Sequence, residues 1–139
     1  MNFKLYLEHL AQGRYEIDEI KRTVEELNLP ISDMRLVSLF DRAKEKSLDK
    51  KLWDKLENCD IQVRTENDIK EKLKEYSRPQ DNYDKIKHEW ENNIWYPPLI
   101  ITSHNDWWYL VAGNTRMMFA KINNITPKVK IVDITNEIE

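Results

Sequence analysis

The chain has 139 residues, with 22 Lys+Arg against 25 Asp+Glu and a formal charge of −3. That size suits one domain or a small domain with an extension, and the charge excludes a binder that holds nucleic acid by bulk positive charge. Hydrophobic residues at 40 % suffice for a core, and the one cysteine, Cys59, excludes an internal disulfide. No run approaches the roughly 18 apolar residues of a membrane span. Met1-Asn2-Phe3-Lys4, with Glu8 and His9 close behind, does not read as a signal peptide. A soluble, cytoplasmic protein with no membrane partner is expected, in the host cytoplasm if the source is viral.

In chain order, Phe3, Tyr6, Leu7 and Leu10 share a helical face that Gly13 can stop. Ile17, Ile20, Val24 and Leu27 predict a second helix, ended by Asn28-Leu29-Pro30 because proline disfavours helix in the residue before it. Ser32 is the N-cap of a third, with Leu36, Leu39, Phe40 and Ala43. Ser47 could cap a fourth, with Leu48, Leu52 and Leu56. Residues 1–59 thus read as a helical bundle or extension. The mixed charge of residues 33–46 disfavours nucleic-acid reading by this element, so it is a helical cap or a protein-interaction module.

Ile61-Gln62-Val63 alternates like a short strand. Thr65 to Asp68 opens a helix carrying Ile69, Leu73 and Tyr76, which Ser77-Arg78-Pro79-Gln80 breaks. A further helix over 82–93 places Tyr83, Ile86 and Trp90 on one face, and Glu91 is the candidate catalytic carboxylate on it. Beyond Pro97-Pro98 the pattern turns to β. Leu99–Thr102 and Trp107–Val111 form a hairpin, Arg116–Ile122 a helix, and Lys128–Ile134 a last strand. The fold class is α+β, with the helical segment 1–59 packed on a domain spanning 60–139.

The junction Val111-Ala112-Gly113-Asn114-Thr115-Arg116 carries the chemistry. A helix start aims unpaired N–H groups and a positive dipole end at one point, where an anion can bind. Gly113 permits close backbone approach, Thr115 offers a hydroxyl, and Arg116 offers a planar fork suited to phosphate. The alternative is a glycine at a tight turn followed by an exposed arginine. On either reading the Arg116 side chain points outward, so Arg116→Ala should leave the fold intact. His88 and His104 lack a second ligand at metal spacing. Trp95, Tyr96, Trp107, Trp108 and Tyr109 fill the core or offer a stacking surface.

Residues 97–133, with Gly113, Arg116 and Ala120 in the spacing Gly-x-x-Arg-x-x-x-Ala, resemble the core of the ParB/sulfiredoxin superfamily. Ser77-Arg78-Pro79-Gln80 and Pro97-Pro98 resemble its upstream elements, so the likeness covers roughly 60–135. The resemblance implies a phosphate cradle for a nucleoside triphosphate, ATP or CTP, at Gly113, Asn114, Thr115 and Arg116, with Arg78 as a second clamp. Phosphoryl transfer or phosphodiester hydrolysis is the implied reaction class, with Mg²⁺ as the accompanying ion. Asn114 and Thr115 stand where sulfiredoxin has Cys-His, which excludes its reductase chemistry at this site. They also replace charged residues of the partition proteins, whose helix-turn-helix domain is not expected after Glu139. The second functional reading is a small, phage-type, non-enzymatic protein that keeps the fold as a scaffold. It would bind a protein partner through residues 1–59 or associate with nucleic acid.

Overall fold

Ile20 and Val24 face inward from helix α1 (Glu16–Glu26) and Leu27 from the turn just after it, at the spacing the sequence predicts. The computed structural model describes residues 16–104 and 106–137, so the helix expected over residues 3–12 and its stop at Gly13 lie outside the described residues. Asn28 turns α1 off in the left-handed region, φ 49°, and the Leu29 N–H closes back on the Val24 carbonyl at 3.0 Å. Ser32 caps α2 (Asp33–Arg42), its hydroxyl accepting from the Arg35 N–H at 3.0 Å. α2 buries Leu36, Val37 and Phe40.

The stretch after α2 differs from the expected fourth helix. Ser47 is no cap; it ends a short strand, β1 (Glu45–Ser47), paired antiparallel with residues 128–130. Asp49 instead caps a 3₁₀ turn, Lys50–Lys55, accepting from the Lys51 N–H. The tighter three-residue period aligns Trp53 with Leu56 on the buried side, where a four-residue period had suggested an α-helix. Strand β2 (Leu56–Glu57) follows and runs parallel to the strand at Trp108–Tyr109. Asn58 then leaves the sheet at φ 64°, and its side-chain amide donates to the Leu110 carbonyl at 3.1 Å, prolonging the edge contact by one residue. Residues 61–63 form no strand. They are irregular backbone whose Ile61 and Val63 carbonyls are taken by Lys121.

Thr65 opens α3 (Glu66–Glu75) with a reciprocal capping box to Asp68. The backbone N–H groups of Arg64 and Thr65 hold the Asp68 carboxyl below the ordinary carboxylate range. α4 (Asn82–Glu91) follows. The β part has the predicted order: β3 (Leu99–Ser103), β4 (Trp107–Ala112), α5 (Asn114–Ile122) and β5 (Lys128–Asp133). The five strands are ordered β1-β5-β3-β4-β2, with β3 antiparallel to β4 and parallel to β5. The class is α+β, and the segment before residue 60 supplies both edge strands as well as helices.

Alternation along the strands separates two cores. Leu99, Ile101, Tyr109 and Val132 meet α1 and α2, while Ile100, Leu110 and Val129 meet α5, Trp53 and Leu56. α3 and α4 pack behind α5 on Met118 and Phe119. One irregularity shapes the site. Leu99 pairs with Ala112 but Ile100 pairs with Leu110, so Val111 is an extra residue, and Val111 and Ala112 both join the α1 side. Such a bulge bends the strand, here two residues before Gly113.

Cys59 is partly buried behind this edge. Burial, with a contribution from Asp60, pushes its thiol up to about 12. Only the thiolate reacts with an alkylating agent. The folded protein is therefore expected to consume iodoacetamide at pH 8 far more slowly than the urea-unfolded chain, as mass spectrometry over time would read. Equal rates would place Cys59 in the open.

Candidate functional site

The bulge and Gly113 together swing the chain from β4 into α5. Gly113 is the N-cap residue of α5 at φ 102° and brings no capping side chain. The backbone N–H groups of Asn114 and Thr115 have no carbonyl one turn back to bond. Both residues line a pocket of about 380 Å³. Its floor is residues 110–116. One wall is α1, through Glu16, Glu19 and Arg22; the other is the α3–α4 corner, through Tyr76, Arg78, Asn82 and Lys85. The volume lies within the roughly 300–1,000 Å³ typical of small-molecule sites.

Gly113, Asn114, Thr115, Arg116 and Arg78 all line this pocket, so residues distant in sequence that were singled out together do converge. Asn114 is tied down from behind. Its side-chain oxygen accepts from the Asp60 N–H at 2.9 Å and its amide donates to Asp60 Oδ2 at 2.8 Å. The same carboxylate accepts from the Tyr76 hydroxyl. Partial burial, then that hydrogen bond, pushes the Tyr76 phenol up to about 12, so it stays protonated and keeps donating.

Arg116 departs from expectation. Its side chain does not point outward: the residue is 7 % exposed. Nη1 donates to the Tyr96 carbonyl, and Nη2 lies 3.2 Å from Glu16 Oε1, whose side chain is equally buried. A guanidinium at this depth needs a carboxylate and a carbonyl around it, because an unpaired buried charge is costly. Arg78, about one-third exposed, is paired with Glu19 at 2.8 Å. Arg22 also reaches Glu19.

The remaining candidates lie elsewhere. Glu91 is exposed at the last position of α4 and does not line the pocket. His88 is exposed on the same helix, and His104 is exposed beside β3, its N–H donating to Thr135 Oγ1. Among the described residues no cluster of three or more His, Cys, Asp or Glu side chains could hold a metal ion. No helix among them is long and apolar enough to cross a membrane. The aromatic residues divide as alternation requires: Tyr109 stacks on Trp107 toward α1, while Trp95 packs edge-on to Trp90.

Sequence reasoning missed Glu16, Glu19, Arg22, Tyr76, Asn82 and Lys85 as pocket walls. The three-residue steps Glu16–Glu19–Arg22 and Asn82–Lys85 each mark one helical face. Nothing local says that those faces oppose each other. No protein-family model, curated protein or solved structure matches this chain.

Proposed function

We propose that the pocket binds a nucleotide by its phosphates, as the ParB/sulfiredoxin-like resemblance implies, with ATP and CTP as the first ligands to test. One observation carries this reading. Among the described residues that line it, Arg22, Arg78, Lys85 and Arg116 converge with Glu16 and Glu19 on a pocket whose floor is a helix N-terminus. Anions are favoured at such a terminus by the N–H groups and the dipole together. The phosphates lie over Asn114 and Thr115, with Arg78 and Lys85 as clamps. Tyr76, 47 % exposed at the rim, offers its ring face to a base, and Asn82 beside it offers an amide for the base edge. Phosphoryl transfer or phosphodiester hydrolysis is the chemistry such a cradle serves. Mg²⁺ arrives with the phosphates in this scheme, since Glu16 and Glu19, the lining carboxylates among the described residues, are already engaged by arginines.

The test is calorimetric titration with ATP, CTP, GTP and UTP, each with and without Mg²⁺, on the parent protein and Arg78→Ala. Loss of one charge-assisted hydrogen-bonding partner, about 1.5–3 kcal/mol, should weaken the best ligand by about 10- to 150-fold. Absence of binding by all four nucleotides, or an unchanged Kd in folded Arg78→Ala, would defeat the assignment.

A further inference from the structure

Glu16 and Glu19 both belong to the first turn of α1 and both face the pocket. Each engages one of its arginines: Glu16 holds Arg116 at 3.2 Å and Glu19 holds Arg78 at 2.8 Å. Two carboxylates one helical turn apart thus meet two guanidinium groups that come from separate elements, α5 and the α3–α4 corner. To a guanidinium, a carboxylate and a phosphate offer the same paired oxygen acceptors.

We infer that the first turn of α1 is a built-in anionic latch. Glu16 and Glu19 occupy the positions of two anionic groups of the ligand, and an oligophosphate opens the pocket fully by displacing both. The inference rests on the phosphate-binding reading above and adds its regulation and selectivity. A ligand with a single anionic group can replace only one carboxylate and leaves the other pair closed. A ligand with two or more neighbouring phosphates replaces both, so the buried Arg116 and the partly exposed Arg78 each exchange one anionic partner for another. Binding is then an exchange of ion pairs rather than their creation.

The rest of α1 can stay in place during this exchange. Ile20 is fully buried against the sheet, so the helix is anchored from its second turn onward. Once displaced, Glu16 and Glu19 regain water, and the ligand takes their place over the N-terminus of α5, where the dipole favours it.

The experiment uses the full chain and tripolyphosphate as probe, with orthophosphate in parallel. Glu19→Gln keeps the shape of the side chain and removes its charge, at a residue less deeply buried than Glu16. Asp18→Asn removes the same charge from an exposed neighbour on the same helix, which controls for the general field. Freeing the competent state raises apparent affinity by the inverse of its former population, so Glu19→Gln should bind tripolyphosphate about tenfold tighter than the parent. Asp18→Asn should gain no more than about twofold, as expected for a screened surface charge. Hydrogen exchange of the amides of residues 20–23, which bond to the first turn, should quicken on adding tripolyphosphate to the parent protein. Orthophosphate should bind more weakly and leave those amides unchanged. The latch is overturned if Glu19→Gln gains no more than Asp18→Asn, if exchange at 20–23 slows on binding, or if orthophosphate matches tripolyphosphate. Failure of tripolyphosphate to bind any of the three proteins instead refutes the phosphate site itself, and the latch with it.

Discussion

Arg116→Ala is expected to lower folding stability by about 3–5 kcal/mol, the usual cost of removing one partner of a buried ion pair. The side chain is buried, its guanidinium serves both the Tyr96 carbonyl and Glu16, and it ties α5 to α1 across 100 residues of sequence. Alanine would leave the Glu16 carboxylate in a low-dielectric site without its arginine and the Tyr96 carbonyl without this donor. For a chain of this length the loss corresponds to a fall in Tm of about 10–20 °C, which calorimetry or circular dichroism would read. Arg116→Lys should recover part of it, because an ammonium keeps the charge but cannot span both acceptors as a planar fork does. The double variant Glu16→Gln/Arg116→Met should lie well above Arg116→Ala, since replacing both ions costs less than stranding one. A Tm within about 2 °C of the parent for Arg116→Ala would show that the arginine is outside in solution. The junction would then be an open anion site of the kind the sequence suggested.

Arg116 also shows where sequence reading stops. Its place three residues after Gly113, at the start of a helix, is local information and is correct in the structure. Its burial depends on Glu16, and nothing in either residue's neighbourhood announces the other. The same division runs through the chain. Ser32 and Thr65 are legible as caps because a cap is settled within four residues by one side-chain oxygen and one N–H. Trp107–Ala112 is legible as a strand because its aromatic and branched residues suit a pleated surface that is packed on both faces. Residues 45–57 are not, because β1 and β2 are two or three residues long and owe their state to β5 and β4. Leu48, Leu52 and Leu56 imitate a helical stripe while serving a sheet edge and a 3₁₀ turn. The bulge at Val111 is hidden for a related reason: in an apolar run, a residue that changes faces leaves no break in polarity. The resemblance pointed to the floor of the pocket, whereas its walls arise only when α1 and the α3–α4 corner are brought to the end of β4.

Gly113→Ala is the second substitution with a large expected effect, and two separate causes contribute. At φ 102° an L side chain is strained, which costs about 1–2 kcal/mol for the left-handed region. A methyl group on Gly113 would also lie 2.8 Å from the Pro98 Cβ and 2.9 Å from its Cα, inside contact distance. Pro98 has little room to yield. It is buried at the entry to β3, and its carbonyl accepts from the Lys130 N–H at 2.9 Å, so moving it pulls on β5 as well. Overpacking of this kind typically costs a further 1–3 kcal/mol, giving a total of about 2–5 kcal/mol. Pro98→Ala should not rescue Gly113→Ala, because alanine keeps both of the nearest atoms, and this sets the clash apart from a mere lack of space around the proline ring. Relief by displacement of α5 would move the Asn114 and Thr115 N–H groups away from the pocket floor. Any fraction that remains folded should therefore bind the best nucleotide more weakly than the parent. Denaturant unfolding of the single and double variants, followed by titration of whichever are folded, reads both effects. A Gly113→Ala protein as stable as the parent, with the same Kd, would mean that neither the left-handed turn nor the approach to Pro98 exists in solution.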